Sequence, residues 1–226
     1  MANFASLNAA AAETAKLTNG SVDYLIINGA FSDPETDKLV PTQFIGREDE
    51  LRKDMIESLD VNILGVAHSI NAFLPLVRKS SIKKIIAIST GLAVTEETRK
   101  SGVANFFTYS SMKAALNMVV AKYSAELKHE GITLLALSPG LAMTKETPRM
   151  DDLSVATRTE LMICIATPQE MADFEVFRQV IQRTKPDWQG PMMPEESVKH
   201  QRKVIEDIKV EDSGSFLSHW GNKTWI

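Results

Sequence analysis

The sequence predicts an α/β fold in which a parallel sheet is covered by helices on both faces. Three short apolar runs indicate buried strands: VDYLIINGA (22–30), KKIIAIST (83–90) and ITLLALSPG (132–140). A long periodic segment follows the first run, and another follows the second. Because strand–helix–strand crossovers join parallel strands, this alternation predicts a parallel sheet rather than a set of hairpins.

The segments between the strands have the periodicity of amphipathic helices. An apolar stripe from Leu51 to Val77 predicts a helix of about eight turns. The segment YSSMKAALNMVVAKYSAELKHEG predicts a second long helix, closed by Gly131, a residue that favours a left-handed C-cap. A short N-terminal helix precedes the first strand and ends at Asn19-Gly20.

After Pro139 the pattern is less regular. DDLSVATRTELMICIA and PQEMADFEVFRQVIQRT predict a helical excursion, and residues 141–190 lie where such a sheet carries a lid over its C-terminal edge. PEESVKHQRKVIEDIKV predicts a helix with Pro194 in its first turn, and GSFLSHW predicts a last strand. Because we find no repeat, low-complexity tract or linker, we expect a single domain over residues 1–226.

Composition excludes several classes of partner. Acidic residues outnumber basic ones by 29 to 25, and no basic block is interleaved with aromatic residues, so we expect no nucleic-acid partner. Cys164 is the only cysteine, which excludes an internal disulfide and a cysteine-rich metal site. The four histidines share no metal-ligand spacing, so no metal is predicted.

The N-terminus has neither a cationic leader nor an apolar stretch of signal-peptide length. No apolar run approaches the roughly 20 residues that a membrane-spanning helix needs. A single cysteine also fits a reducing compartment. We therefore expect a soluble cytoplasmic protein without a membrane partner.

Tyr109 and Lys113 lie four residues apart at the head of a predicted helix, in FFTYSSMKAALNMVV. This spacing places a phenol and an ammonium on one helical face, where they could form an acid–base unit. On spacing alone, a solvated surface pair is the more common arrangement of two such residues. The neighbouring motifs decide between these interpretations.

Five motifs in order resemble the short-chain dehydrogenase/reductase family. DYLIINGA resembles its Asn-Ala-Gly turn with Ala and Gly exchanged, LDVNILG its helix asparagine, and IIAIST its catalytic strand. YSSMK resembles its Tyr-x-x-x-Lys motif and LSPGLAMT its Pro-Gly segment. The resemblance implies a truncated Rossmann-like, doubly wound parallel sheet whose strands correspond to the family's strands 4-5-6-7.

The resemblance also implies roles for individual residues. Tyr109 would be the general acid, Lys113 would lower its pKa and hold the ribose, and Asn62 would anchor a water relay behind Lys113. The family's catalytic serine falls on Thr90, with Ser89 just before it; a threonine still offers a hydroxyl. Four further residues are candidates for the substrate pocket: Asn28, Pro139, Gly140 and Thr144.

One family feature is missing from the 226 residues. The eleven glycines include no cluster of the Gly-x-x-x-Gly-x-Gly type, whose backbone N–H groups hold the pyrophosphate of a dinucleotide. The intact fold binds its ligand between strands one and four, so this crevice would lack a wall. Without a pyrophosphate anchor, we expect that neither NAD nor NADP serves as a cofactor.

Three hypotheses follow. The first is a cofactor-independent acid–base enzyme that cyclises a polyketide-type carbonyl substrate to a lactone or pyrone, or isomerises it. The second is an NAD(P)-dependent reductase whose sequence is shortened here. The third is a noncatalytic binding or scaffold subunit. In the resembling family the two long helices form four-helix interfaces, so we also expect a homodimer.

Overall fold

The computed structural model describes residues 3–143, 178–179, 181–182 and 185–225. Within these residues, four parallel strands form one sheet in the order β1-β2-β3-β4. The strands are β1 Tyr24–Ile27, β2 Lys84–Ile88, β3 Thr133–Ser138 and β4 Ser215–Ser218. The predicted parallel sheet is confirmed.

Seven α-helices lie with both ends inside the described residues. They are α1 Phe4–Leu17, α2 Pro34–Asp37, α3 Glu48–Leu59, α4 Gly65–Val77, α5 Thr95–Ser101, α6 Phe107–Leu127 and α7 Pro194–Asp207. A π-helical segment, Asp60–Leu64, joins α3 to α4, so the predicted long helix is continuous but locally wider. The short helices α2 and α5 were not predicted, because so few residues show no reliable period.

Both faces of the sheet are buried, as expected for parallel strands. On one face α4 and α6 pack against the sheet, and this core includes Val66, Ile70, Val77, Ile85, Ala87, Leu116, Val120, Leu134 and Ala136. On the other face Val204 and Ile205 of α7, with Ile208 just after it, pack on Ile86, Leu135 and Leu137. The Nζ of Lys84 donates to the last carbonyl groups of α7, those of Ile205 and Glu206, at 2.8 Å each.

The edge strand β1 is only partly covered. Helix α1 packs on α4, where Ala11 lies with Ala72 and Leu76. On the α7 face of the sheet, Ile26 pairs with Ile86 in register but stays 53% exposed. Helix α4 therefore covers one face of β1, with α1 packed on α4, and the opposite face of β1 stays open.

The helix Glu48–Val77 is long and apolar enough to cross a membrane by length and composition, contrary to the expectation that no segment would be. Its residues Val66, Ile70 and Val77 are fully buried in the core of the sheet. Core helices of soluble proteins pass the same test, so this helix is weak evidence for a membrane span.

Candidate active site

The candidate site lies at the C-terminal ends of β2 and β3, beside the start of α6. Phe106, just before α6, has a left-handed backbone (φ 57°), which is uncommon for a bulky residue. Its N–H donates to the carbonyl of Asp37 at 2.7 Å. This bond ties the start of α6 to α2 and sets the position of Tyr109 one turn later.

Lys113 is the most buried charged side chain of the site. It is 1% exposed, and its Nζ donates to the carbonyl oxygen of Ile88 at 2.8 Å. The same Nζ lies 5.7 Å from the centre of the Tyr109 ring. Burial lowers the pKa of Lys113 to about 8. The alternative of a solvated surface pair is therefore wrong.

Tyr109 is half-buried at the same place. Burial raises the pKa of its phenol, and the negative charge of Asp37 raises this pKa further. The net shift of the Tyr109 pKa is therefore upward, and the expected lowering of this pKa by Lys113 stays a prediction. At neutral pH the side chain is a phenol, which suits a proton donor.

Asp37 is a site residue that the sequence analysis missed. Its carboxylate accepts a hydrogen bond from the Ser32 hydroxyl. Burial raises the pKa of Asp37, and the neighbouring carboxylates of Asp54 and Asp33 add to this effect. The DPETD segment signals a helix start, but no local pattern shows that this helix lies beside Tyr109.

The two candidate hydroxyls have different surroundings. Ser89 is 1% exposed, and its hydroxyl bonds to the Asn117 Oδ1 on α6 at 2.7 Å. The Thr90 Oγ1 accepts from the N–H of Leu92 at 3.2 Å and caps a short 3₁₀ turn. Thr90 also lines a cavity of about 100 Å³ together with Ser138. Neither Tyr109 nor Lys113 is among the described residues that line this cavity, so which of the two hydroxyls meets a substrate stays a prediction.

The predicted pocket residues are only partly brought together. Gly140 lines the Thr90 cavity, with Trp225 as a further wall, and Pro139 accepts a 2.7 Å hydrogen bond from Ser197 through its carbonyl. Asn28 follows β1 and is exposed. Thr144 and most of the predicted lid (141–190) lie outside the described residues.

A comparison with known families decides the assignment that this geometry suggests. The family model described as short chain dehydrogenase matches residues 1–152. The chain belongs to the short-chain dehydrogenase/reductase family. The resemblance in its motifs is therefore confirmed.

Several curated family members are similar over nearly the whole chain. The short-chain dehydrogenase/reductase atnB of Arthrinium sp is 40% identical, over 97% of this chain and 76% of the relative. The short chain dehydrogenase virK of Hypocrea virens is 33% identical, over 99% of this chain and 78% of the relative.

Solved structures of the family have the same fold. An NADPH-bound carbonyl reductase from chicken fatty liver aligns with a TM-score of 0.65 at 22% identity, over 98% of this chain and 73% of that chain. A short chain dehydrogenase from Burkholderia cenocepacia in complex with NADP aligns with a TM-score of 0.62 at 18% identity, over 98% and 73%. The Rossmann-like fold class is confirmed.

Asn62, the residue that matches the family's helix asparagine, hydrogen-bonds the loop after β1. It is fully buried within the π-helical segment. Its amide nitrogen donates to the Phe31 carbonyl and to the Ser58 hydroxyl at 2.8 Å each, and its oxygen accepts from the Phe31 N–H at 3.1 Å. These bonds direct the amide to the loop after β1, and the water relay behind Lys113 stays a prediction.

The described residues include counterparts of only part of the family's dinucleotide-binding site. Lys113, to which the family resemblance assigns the ribose, lies buried beside Tyr109, and its binding of a ribose stays a prediction. The outer side of β1 is a sheet edge among the described residues, and no Gly-rich turn stands beside it. A pyrophosphate therefore has no anchor in this part of the chain.

Proposed function

We propose that the chain is an acid–base enzyme acting on a carbonyl compound without a nicotinamide, with Tyr109 as the proton-transfer residue. The observation that carries this proposal is the buried Lys113 ammonium, bonded to Ile88 and placed under the Tyr109 ring. A buried cation beside a reacting oxygen favours negative charge that develops there. Tyr109 and Lys113 can move a proton and stabilise an oxyanion without a hydride donor.

The substrate class that suits these groups is a chain with two carbonyl groups and an activated acyl end, as in a polyketide intermediate. Its enol oxygen would attack the acyl carbon of a thioester, forming a C–O bond and a lactone or pyrone ring. Thr90 would hydrogen-bond the oxygen on which charge develops. The C–S bond then breaks, and the thiolate takes a proton from Tyr109, which the enol proton restores.

A simple thioester tests this proposal. The N-acetylcysteamine thioester of 3,5-dioxohexanoate should release free thiol and a pyrone faster with the protein than in buffer. No nucleotide is added, and Tyr109→Phe should return the rate to that of the buffer. Equal thiol release by the wild type and this variant would remove the support for a catalytic Tyr109.

A second candidate function is NAD(P)-dependent reduction of a carbonyl compound. The names of the relatives atnB and virK favour it, as does the fold likeness to a carbonyl reductase with bound NADPH. Titration calorimetry with NADH and NADPH separates the candidates. Micromolar binding of either nucleotide supports the reductase, and absence of binding supports the cofactor-independent enzyme.

We further propose that the protein is a cytoplasmic homodimer that pairs through α3 and α6. Four large apolar side chains on this side are 40–60% exposed: Ile56, Leu59, Leu64 and Met118. Association would remove them from water. Light scattering should give twice the monomer mass, and Met118→Asp should give a monomer; a wild-type monomer at micromolar concentration contradicts the proposal.

A further inference from the structure

A small cavity adjoins Thr90, which comes two residues after Ile88, whose carbonyl oxygen accepts a hydrogen bond from the Lys113 Nζ at 2.8 Å. The volume of the cavity is about 100 Å³, less than the about 150 Å³ of a cavity that holds one benzene molecule. Tyr109 and Lys113 are not among the described residues that line it. The cavity therefore has room for a small part of a substrate, close to the proton-transfer residues but apart from them.

Trp225 forms one wall of this cavity. It is 8% exposed, although the residues just before it, 220–224, are exposed. Its ring stacks on that of Phe216 in β4, with 4.2 Å between the ring centroids. An added Cβ at Gly91 would lie 2.8 Å from the Trp225 Cβ, so Trp225 packs directly on the turn that follows Thr90. The chain thus returns from solvent to place one indole beside the candidate hydroxyl.

The other walls combine aliphatic and polar side chains. The aliphatic lining residues are Leu92, Val103, Leu141 and Ile181. The polar lining residues are Thr90, Glu97, Thr98, Ser101 and Ser138. The carboxylate of Glu97 disfavours an anionic group, so this lining suits a short uncharged group that has an apolar end.

The Thr90 hydroxyl is available to such a group. Its Oγ1 accepts a hydrogen bond from the N–H of Leu92 at 3.2 Å, and in the part of the chain that the structure describes no acceptor takes its proton. A hydroxyl in this state can donate to a carbonyl oxygen. An acetyl group has both a carbonyl oxygen and a methyl end, and it is smaller than a benzene ring.

We propose that this cavity binds the acetyl end of the substrate and that Trp225 determines specificity by excluding larger end groups. The methyl group would lie among the aliphatic side chains, and the indole of Trp225 would occupy the space that an aromatic end group needs. This inference rests on the proposed function for the substrate as a carbonyl compound, whereas the size limit that Trp225 sets can be tested without turnover.

Benzene tests the size limit. Isotope-labelled threonine methyl groups are followed by NMR, because an aromatic ring bound in the cavity shifts the signal of the Thr90 methyl. Millimolar benzene should leave this signal unchanged in the wild type and shift it in Trp225→Ala, whose cavity gains the volume of an indole. Trp220→Ala is the matched control, since Trp220 is 46% exposed and does not line this cavity, and it should behave like the wild type. A shift at Thr90 in the wild type, or none in Trp225→Ala, would overturn the proposal.

A milder variant keeps the test valid if Trp225→Ala does not fold. Trp225→Ala removes a buried ring and therefore lowers stability, whereas Trp225→Leu keeps an aliphatic side chain on Phe216. Benzene should shift the Thr90 methyl in Trp225→Leu as well, and thermal unfolding shows which variants are folded. The wild type alone gives a further readout: acetone, which contains an acetyl group, should shift this signal and benzene should not. Benzene acting on the wild type at a lower concentration than acetone would contradict the size limit.

Turnover tests the link between this cavity and the proposed reaction. The N-acetylcysteamine thioester of 3,5-dioxohexanoate ends in an acetyl group, and its analogue with a phenyl ring in place of the terminal methyl is the larger probe. The wild type should release thiol faster from the first probe, and Trp225→Ala should lower this preference about tenfold. An unchanged preference would show that the end group binds elsewhere. If the wild type releases thiol from neither probe, the proposed function fails, and the benzene titration alone decides whether Trp225 limits the cavity.

Discussion

The ammonium of Lys113 lies under the ring of Tyr109 and is bonded at the same time to the carbonyl oxygen of Ile88, the last residue of β2. One buried group thus joins α6 to the strand that leads into Thr90. This contact lies between Tyr109, the proposed proton-transfer residue, and the end of the strand that precedes Thr90. Replacement of Lys113 therefore disturbs geometry as well as charge.

Tyr109→Phe should abolish turnover of the thioester probe while the fold stays intact, because only the phenolic oxygen is removed. Tyr123→Phe is the matched control, since it removes a phenolic oxygen from the same helix, where it bonds to Asn71 at 2.9 Å. Thiol release and circular dichroism are measured for both. If both variants keep wild-type rates, a noncatalytic binding role replaces the acid–base proposal.

Lys113→Met should change how stability depends on pH. The folded pKa is about 8 and the ordinary value is 10.5, so between these values the unfolded chain binds more protons than the folded one. The wild type should therefore gain free energy of unfolding relative to Lys113→Met as pH rises from 8 to 10.5, with no relative change below 8. Urea unfolding at several pH values measures the difference; a constant difference across this range contradicts the lowered pKa.

The fold could be predicted from the sequence because its signals are long or repeated. Apolar runs such as KIIAI and TLLALS are buried on both faces, and their residues alternate between the α4/α6 core and the α7 core. Gly131 caps the 3₁₀ turn Lys128–Glu130 that follows α6, and Pro194 is the first residue of α7. The widened turn at Asp60–Leu64 was not predicted, since a single extra residue in a helix scarcely changes its apolar period.

Asn62→Ala should destabilise the fold strongly. The change removes three hydrogen bonds and leaves the N–H and carbonyl of Phe31 without their partner. A loss of about 2–4 kcal/mol in the free energy of unfolding is expected from bonds of this kind. Asn71→Ala, which removes an exposed amide from α4, should cost less than about 1 kcal/mol.

Urea unfolding of the two asparagine variants makes the comparison. Similar losses of unfolding free energy for Asn62→Ala and Asn71→Ala would show that the hydrogen bonds from Asn62 to the loop after β1 contribute little to stability.

Gly140→Ala should be far more damaging than Gly102→Ala. Both glycines have a left-handed backbone, with φ of 76° and 72°, so both substitutions carry a similar strain of about 1–2 kcal/mol. A Cβ at Gly140 also meets His219 at 2.6 Å, whereas nothing lies within 4 Å of one at Gly102. The clash should add about 1–3 kcal/mol.

The double variant Gly140→Ala/His219→Ala checks this cause. The double variant should regain much of the stability lost to the clash but none of the stability lost to backbone strain. Thermal unfolding measures both losses. Equal melting temperatures of Gly140→Ala and Gly102→Ala would contradict a destabilising clash between the added methyl group at position 140 and His219.

The candidate site was predicted less completely than the fold. Local motifs predict Tyr109, Lys113 and the hydroxyl after β2. The structure places these groups near the C-terminal end of β2. Asp37 has no such motif, because its effect on Tyr109 arises only when α2 packs beside α6. The direction of the Tyr109 pKa shift was missed for the same reason. Burial, and a carboxylate that is far away in sequence but close in space, both depend on tertiary structure.

The parallel sheet has a consequence for the speed of folding. Tyr24 pairs with Lys84, Lys84 with Thr133, and Leu135 with Ser215, so each pairing joins residues about 50 to 80 positions apart. No strand can pair with its neighbour through a tight turn, and every pairing must first overcome the entropy of closing a long loop. Refolding should therefore be slow compared with helical proteins of the same length. During that delay the apolar strands are exposed to other chains, and dilute, cool conditions should give the highest yield of native protein.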